Sequence, residues 1–121
     1  MPQEFPAPSS PSQDIHAYLH AISSFLRRPH RLDAVAQDAL ADLVDELDNA
    51  IRSGKIPNDE ATKLAATLSH FADAIQREEE PGVLKAARER LMEATVVAEN
   101  HAPMVAGLAR RFMDALANIG I

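Results

Sequence analysis

The chain has 121 residues, 46 % apolar and 25 % charged, with a formal net charge of −6, which is one domain's length with apolar content enough for a modest core. The absence of cysteine excludes disulfides, thiolate nucleophiles and cysteine-ligated metal centres. The negative charge disfavours nucleic acid and anionic membranes as partners, and no apolar run approaches the ~20 residues of a membrane-spanning helix.

Only 4 % of the residues are aromatic, and alanine is the commonest apolar residue. Alanine has the highest helix propensity and lets helix axes approach closely, so the composition predicts an all-α chain. Residues 1–11 are rich in proline and serine and have little to bury, which predicts a disordered or polyproline-like tail. Residues 12–121 are read as a single helical-bundle domain. The first dozen residues lack the basic start and apolar stretch of a secretory signal, and the expected location is cytoplasmic.

Ser10-Pro11-Ser12-Gln13 reads as a helix start, with Ser10 as cap and Pro11 at the first helical position. The first helix is expected from about Pro11 to Arg28, its face marked by Ile15, Leu19, Ile22 and Leu26, and Pro29 ends it. A second helix starts at the cap Asp33 and stops at Gly54. Leu40, Leu43, Val44, Leu47 and Ile51 form its stripe, and Asp38, Asp42, Asp45 and Asp48 its polar side. Asn58-Asp59-Glu60 opens a third helix carrying Ala61, Leu64, Leu68, Phe71 and Ile75, which should end before Pro81-Gly82. The fourth has Leu84, Ala87, Leu91, Ala94 and Ala98 in register. Val105, Leu108, Phe112, Leu116 and Ile119 follow Pro103, which either kinks one long helix or separates two. These short stripes and loops predict an antiparallel bundle of four to five amphipathic helices.

Candidate sites are few. His16 and His20 lie one helical turn apart, a spacing at which two imidazoles can share a metal. Ala17 stands where a zinc protease would carry its glutamate, however, and no third ligand is fixed. Half-exposed helix residues are the simpler account of the pair. No histidine has an acid three residues before it, which removes di-iron bundle chemistry. Four scattered glycines make no phosphate loop. Ser69-His70 is a neighbour pair whose side chains diverge by about 100° on a helix.

Arg27, Arg28 and Arg31, with His30 between them, form the one basic cluster. It could grip an anion or an acidic partner, or it could complement the negative end of the first helix and the acidic second one. Asp33 to Thr62 holds eight acidic residues against two basic ones. Its aspartates follow helix turns, so a solvated face explains them better than a calcium loop does. Met92, Met104 and Met113 are expected as core fillers.

The C-terminal stretch His101-Ala102-Pro103, Met104 to Asp114 and Ala115-Leu116-Ala117-Asn118-Ile119-Gly120-Ile121 resembles the small bacterial family catalogued as domain of unknown function 4404. The resemblance covers about Ile15 to Ile121 and is carried chiefly by the Ala-Asn-x-Gly-Ile type ending. It departs where Ala102 separates His101 from Pro103. It implies a bacterial origin and a helical fold, and because the family has no assigned activity it assigns no catalytic or binding residue. Asn118 and Gly120 can both turn left-handed and fold Ile121 back onto its helix. The alternative is that Ile121 is a docking tail.

The expected function is a non-enzymatic, cofactor-free helical module for protein–protein interaction or self-association through a Leu/Ala stripe. The alternatives are a metal- or ligand-responsive protein using His16 and His20, and an anion-binding accessory protein using Arg27 to Arg31.

Overall fold

The computed structural model describes residues 11–28 and 31–120, with side chains from Ile15 onward. Five helices follow one another: α1 Pro11–Arg27, α2 Ala34–Arg52, α3 Asn58–Gln76, α4 Pro81–Glu99 and α5 Pro103–Asn118. They form an all-α bundle around one apolar cluster to which every helix contributes. The Ser10 cap, the proline-rich tail, Pro29, His30 and Ile121 lie outside the described residues.

Local chemistry sets the helix boundaries. The Asp33 carboxylate accepts from the Ala36 amide at 2.9 Å and caps α2, which satisfies one of the donors left open at a helix start. The ends of α2 and α3 are built alike. In α2 the Lys55 amide reaches back to the Ala50 carbonyl and the Gly54 amide to Ile51, with Gly54 at φ +71°. In α3 the Glu79 amide reaches Ala74 and the Glu78 amide Ile75, with Glu78 at φ +55°. Both are Schellman closures, one on a glycine and the other on a residue that adopts this conformation at a cost.

Proline opens both α4 and α5. Pro103 separates two helices rather than kinking one. Asn100, His101 and Ala102 form the connection, and the Ala98 carbonyl accepts from the amides of both His101 and Ala102. Proline at the first helical position lacks only a donor that would have had no intrahelical partner. No side chain caps α5; His101 reaches across to Glu60 in the first turn of α3 instead, at 3.0 Å. That contact sets the end of α4 beside the start of α3, so the two run antiparallel. The Glu99–Arg110 pair ties the end of α4 to the middle of α5.

The leucine stripes are spent on this core. Leu40, Leu43, Leu47, Leu64, Leu68, Leu91 and Leu116 are fully buried, and Phe71 meets Phe112 edge to face at a centroid distance of 6.1 Å. Packing does not simply follow chain order. α1 packs mainly on α3, and α2 on α5, while α1–α2 and α2–α3 touch lightly. The helices therefore succeed one another around the core as α1, α3, α4, α5 and α2. Thr95 is the buried polar residue among those described, and its hydroxyl donates to the Leu91 carbonyl one turn earlier at 2.8 Å.

Two methionines depart from expectation. Met113 is buried, but Met92 and Met104 are 52 % and 64 % exposed. Met92 sits one residue beyond the buried Leu91, about 100° around α4, and so turns out of the core. Met104 follows Pro103 in a first turn whose inner side is taken by Val105 and Ala106. The C-terminal turn also differs in detail: Asn118 stays helical, and Gly120 alone takes the left-handed conformation, at φ +83°.

Candidate functional site

The two histidines of α1 face a shallow groove against α2, of about 430 Å³, whose far wall includes Asp45 and Asp48. Both rings are exposed, and among the described residues no three His, Asp or Glu side chains stand close enough to hold a metal ion. His20 also borders a larger cleft of about 600 Å³ between α1 and α3, with Tyr18, Arg28, Ser69, His70 and Asp73 on its walls. Ser69 and His70 both reach this cleft, yet no hydrogen bond joins them, so the base that would activate a serine is not in place.

The basic cluster does not stay together. Arg27 lies in the last turn of α1, where it complements the carbonyl end of the helix. Arg28 turns into the α1–α3 cleft, and Arg31 turns to the opposite side, toward the start of α4. The acidic side of α2 is engaged elsewhere: Asp42 meets Arg111 of α5 at 3.1 Å, and Asp48 meets Arg52 one turn on.

The electrostatic departures lie at the junction of α4 and α5. Arg110 holds Glu99 with two hydrogen bonds, at 2.6 and 3.1 Å. This fork, and then its charge, lowers the Glu99 carboxyl below its ordinary range, and the guanidinium is raised in return. Both groups are open to solvent, so the pair ties two helices without forming a reactive centre.

The exposed apolar surface has a clear distribution. Six large apolar side chains among those described are exposed, and four of them, Val83, Met92, Val96 and Val97, belong to α4. Met92 and Val96 lie one turn apart and line a hollow of about 490 Å³ together with Glu89 and Glu93. The sequence held a signal for this face: Leu91-Met92 and Val96-Val97 place apolar residues beside the stripe as well as on it. No helix of the described residues is long and apolar enough to cross a membrane.

Comparison with known protein families, curated proteins and solved structures gives no match. The resemblance drawn from the C-terminal segment therefore stands on those residues alone.

Proposed function

We propose that this chain is a non-enzymatic helical interaction module of a bacterial cytoplasm, akin to the family its C-terminal segment resembles, and that α4 is its working face. The observation that carries the reading is the exposed Met92–Val96 pair between Glu89 and Glu93. The leucine stripes first expected to serve are buried in the chain's own core. Covering an apolar side chain of this size contributes about 1.5–3 kcal/mol when burial is complete. Acidic flanks select a partner that offers basic groups around apolar ones. A second copy turned antiparallel offers them, because on this side of α4 Lys85 and Arg88 precede Met92, with Glu89 among them, and Glu93 follows it.

The test is the solution mass of the full chain by size-exclusion chromatography with light scattering, over a wide concentration series. The wild type should gain mass with concentration, and the Met92→Lys/Val96→Lys variant should remain a monomer at all concentrations. A wild type that stays monomeric throughout, or a variant that associates as well as the wild type, removes α4 as a self-association face.

A further inference from the structure

His16 and His20 are both exposed on α1, and both line the groove that α1 shares with α2. Residues four apart on a helix stand about 40° apart around its axis and about 6 Å apart along it. Among the described residues no hydrogen bond or ion pair engages either imidazole. Asp45 and Asp48 stand on the α2 side of the same groove, above a floor formed by Leu19 and Val44. Asp48 is tied to Arg52 at 3.1 Å, whereas no ion pair among the described residues takes up Asp45. The fold thus sets a free carboxylate opposite the histidine pair, which helical spacing alone could not show. His20 also borders the α1–α3 cleft with His70 and Asp73, but there Arg77 holds Asp73 and Arg28 adds a positive charge that repels a cation.

We infer that His16 and His20 form an open, two-histidine site for a divalent transition metal of the zinc and copper type. Imidazole nitrogen is a donor these ions favour, while calcium and magnesium require several oxygen ligands and find one free carboxylate here. No three described His, Asp or Glu side chains stand close enough for a closed protein cage. The two imidazoles therefore supply two positions and water completes the sphere, which makes the site exchangeable rather than structural. Asp45 acts from the second shell, as a negative charge across the groove that accepts a hydrogen bond from a metal-bound water. A metal held in this way links α1 to α2, two helices that otherwise touch only lightly. The unfolded chain does not hold residues 16 and 20 at this separation, so the ion binds the folded helix and stabilises it.

The site is tested by titrating the full chain with zinc chloride and, separately, with calcium chloride, following heat and the histidine ring resonances. Zinc should give saturable heat, shifts of the His16 and His20 rings and a higher melting temperature, and calcium none of these. His16→Gln and His20→Gln should each weaken zinc binding at least as much as the loss of a second-shell partner, about 10–100-fold. The double variant His20→Ala/Ala21→His keeps the number of histidines but sets the rings about 140° apart on the helix, and should bind as poorly as the single variants. His70→Gln should bind as the wild type does. All these positions except 70 are exposed residues of α1, and equal melting temperatures without metal confirm that the variants fold. None lies on α4, so the result is independent of association through Met92 and Val96. The inference is overturned if zinc gives no saturable signal, or if His16→Gln or the shifted double variant binds as the wild type does. Loss of binding in His70→Gln also overturns it, because the metal would then sit in the α1–α3 cleft.

Discussion

The two Schellman closures permit a controlled measurement of backbone strain within one molecule. Glu78 at φ +55° occupies at the end of α3 the position that Gly54 at φ +71° occupies at the end of α2. An L-residue in left-handed geometry costs about 1–2 kcal/mol, while a glycine adds about 0.4–1 kcal/mol of unfolded-chain entropy to be lost on folding. Glu78→Gly should therefore stabilise the chain by roughly 0.5–1 kcal/mol. Glu78 is exposed, so its side chain takes little packing with it. The reverse change, Gly54→Ala, should destabilise by about 1 kcal/mol, and through backbone alone, because an added Cβ there meets no atom within 4 Å. Glu78 also places negative charge at the carbonyl end of α3, which is unfavourable in itself. Glu78→Gln removes that charge while keeping the Cβ, and should recover only the smaller part of the gain. Urea unfolding followed by circular dichroism gives the midpoint and slope of each variant. At this chain length 1 kcal/mol corresponds to about 3–6 °C in melting temperature. A lower midpoint for Glu78→Gly at unchanged slope would refute the strain argument, as would a full recovery by Glu78→Gln.

Two other outcomes follow from the core and the surface. Phe71→Ala and Phe112→Ala, each opening a cavity at a fully buried ring, should cost about 3–5 kcal/mol apiece. The double variant should fall short of the sum by about 0.5–1.5 kcal/mol because the two rings touch edge to face. Full additivity in urea unfolding would deny the contact. The Glu99 carboxyl is lowered in the folded chain, so its pairing with Arg110 contributes stability above the ordinary carboxylate value of 4.5, and that contribution is lost as pH falls through the lower folded value. Wild type should thus exceed Glu99→Gln in melting temperature at neutral pH by a small margin that closes in acid. A gap that widens on acidification would contradict the pairing.

What could be read from the sequence is what neighbouring residues decide. Asp33, Gly54, Pro81 and Pro103 act through their own backbone geometry and hydrogen bonds, and each marks a helix boundary within a residue or two of its expected place. The inward stripes were legible for the same reason, since 3.6-residue periodicity is a local property. The partner of each stripe was not. Short loops suggested that sequential helices would pair, yet α1 lies mainly on α3, and α2 on α5, because tertiary complementarity of apolar faces outweighs proximity in the chain. Glu78 gave no warning either, since glutamate has no preference for left-handed geometry and takes it here because the Schellman hydrogen bonds and the following Pro81 require a turn. The arginines after α1 looked like one patch because they are close in sequence. Arg28 faces the α1–α3 cleft, whereas Arg31 lines a hollow with Lys85 and Arg88.

α4 shows most clearly where local preference and the observed structure part company. Its inward strip of Leu84, Leu91, Ala94, Thr95 and Ala98 already satisfies α3 and α5, so folding makes no demand on the residues facing outward. At exposed helical positions, lysine, glutamate, arginine or alanine would be the better helix formers, and each valine costs several tenths of a kcal/mol by comparison. Val96 and Val97 nevertheless stand there, with Met92 one turn before Val96. A sequence that is otherwise consistent from caps to core accepts a local penalty on this face, and such conflicts concentrate where a surface does something besides fold. Lysines at 92 and 96 should accordingly leave the monomer at least as stable as the wild type while removing its association. A variant that loses both stability and association would mean that Met92 and Val96 belong to the fold after all.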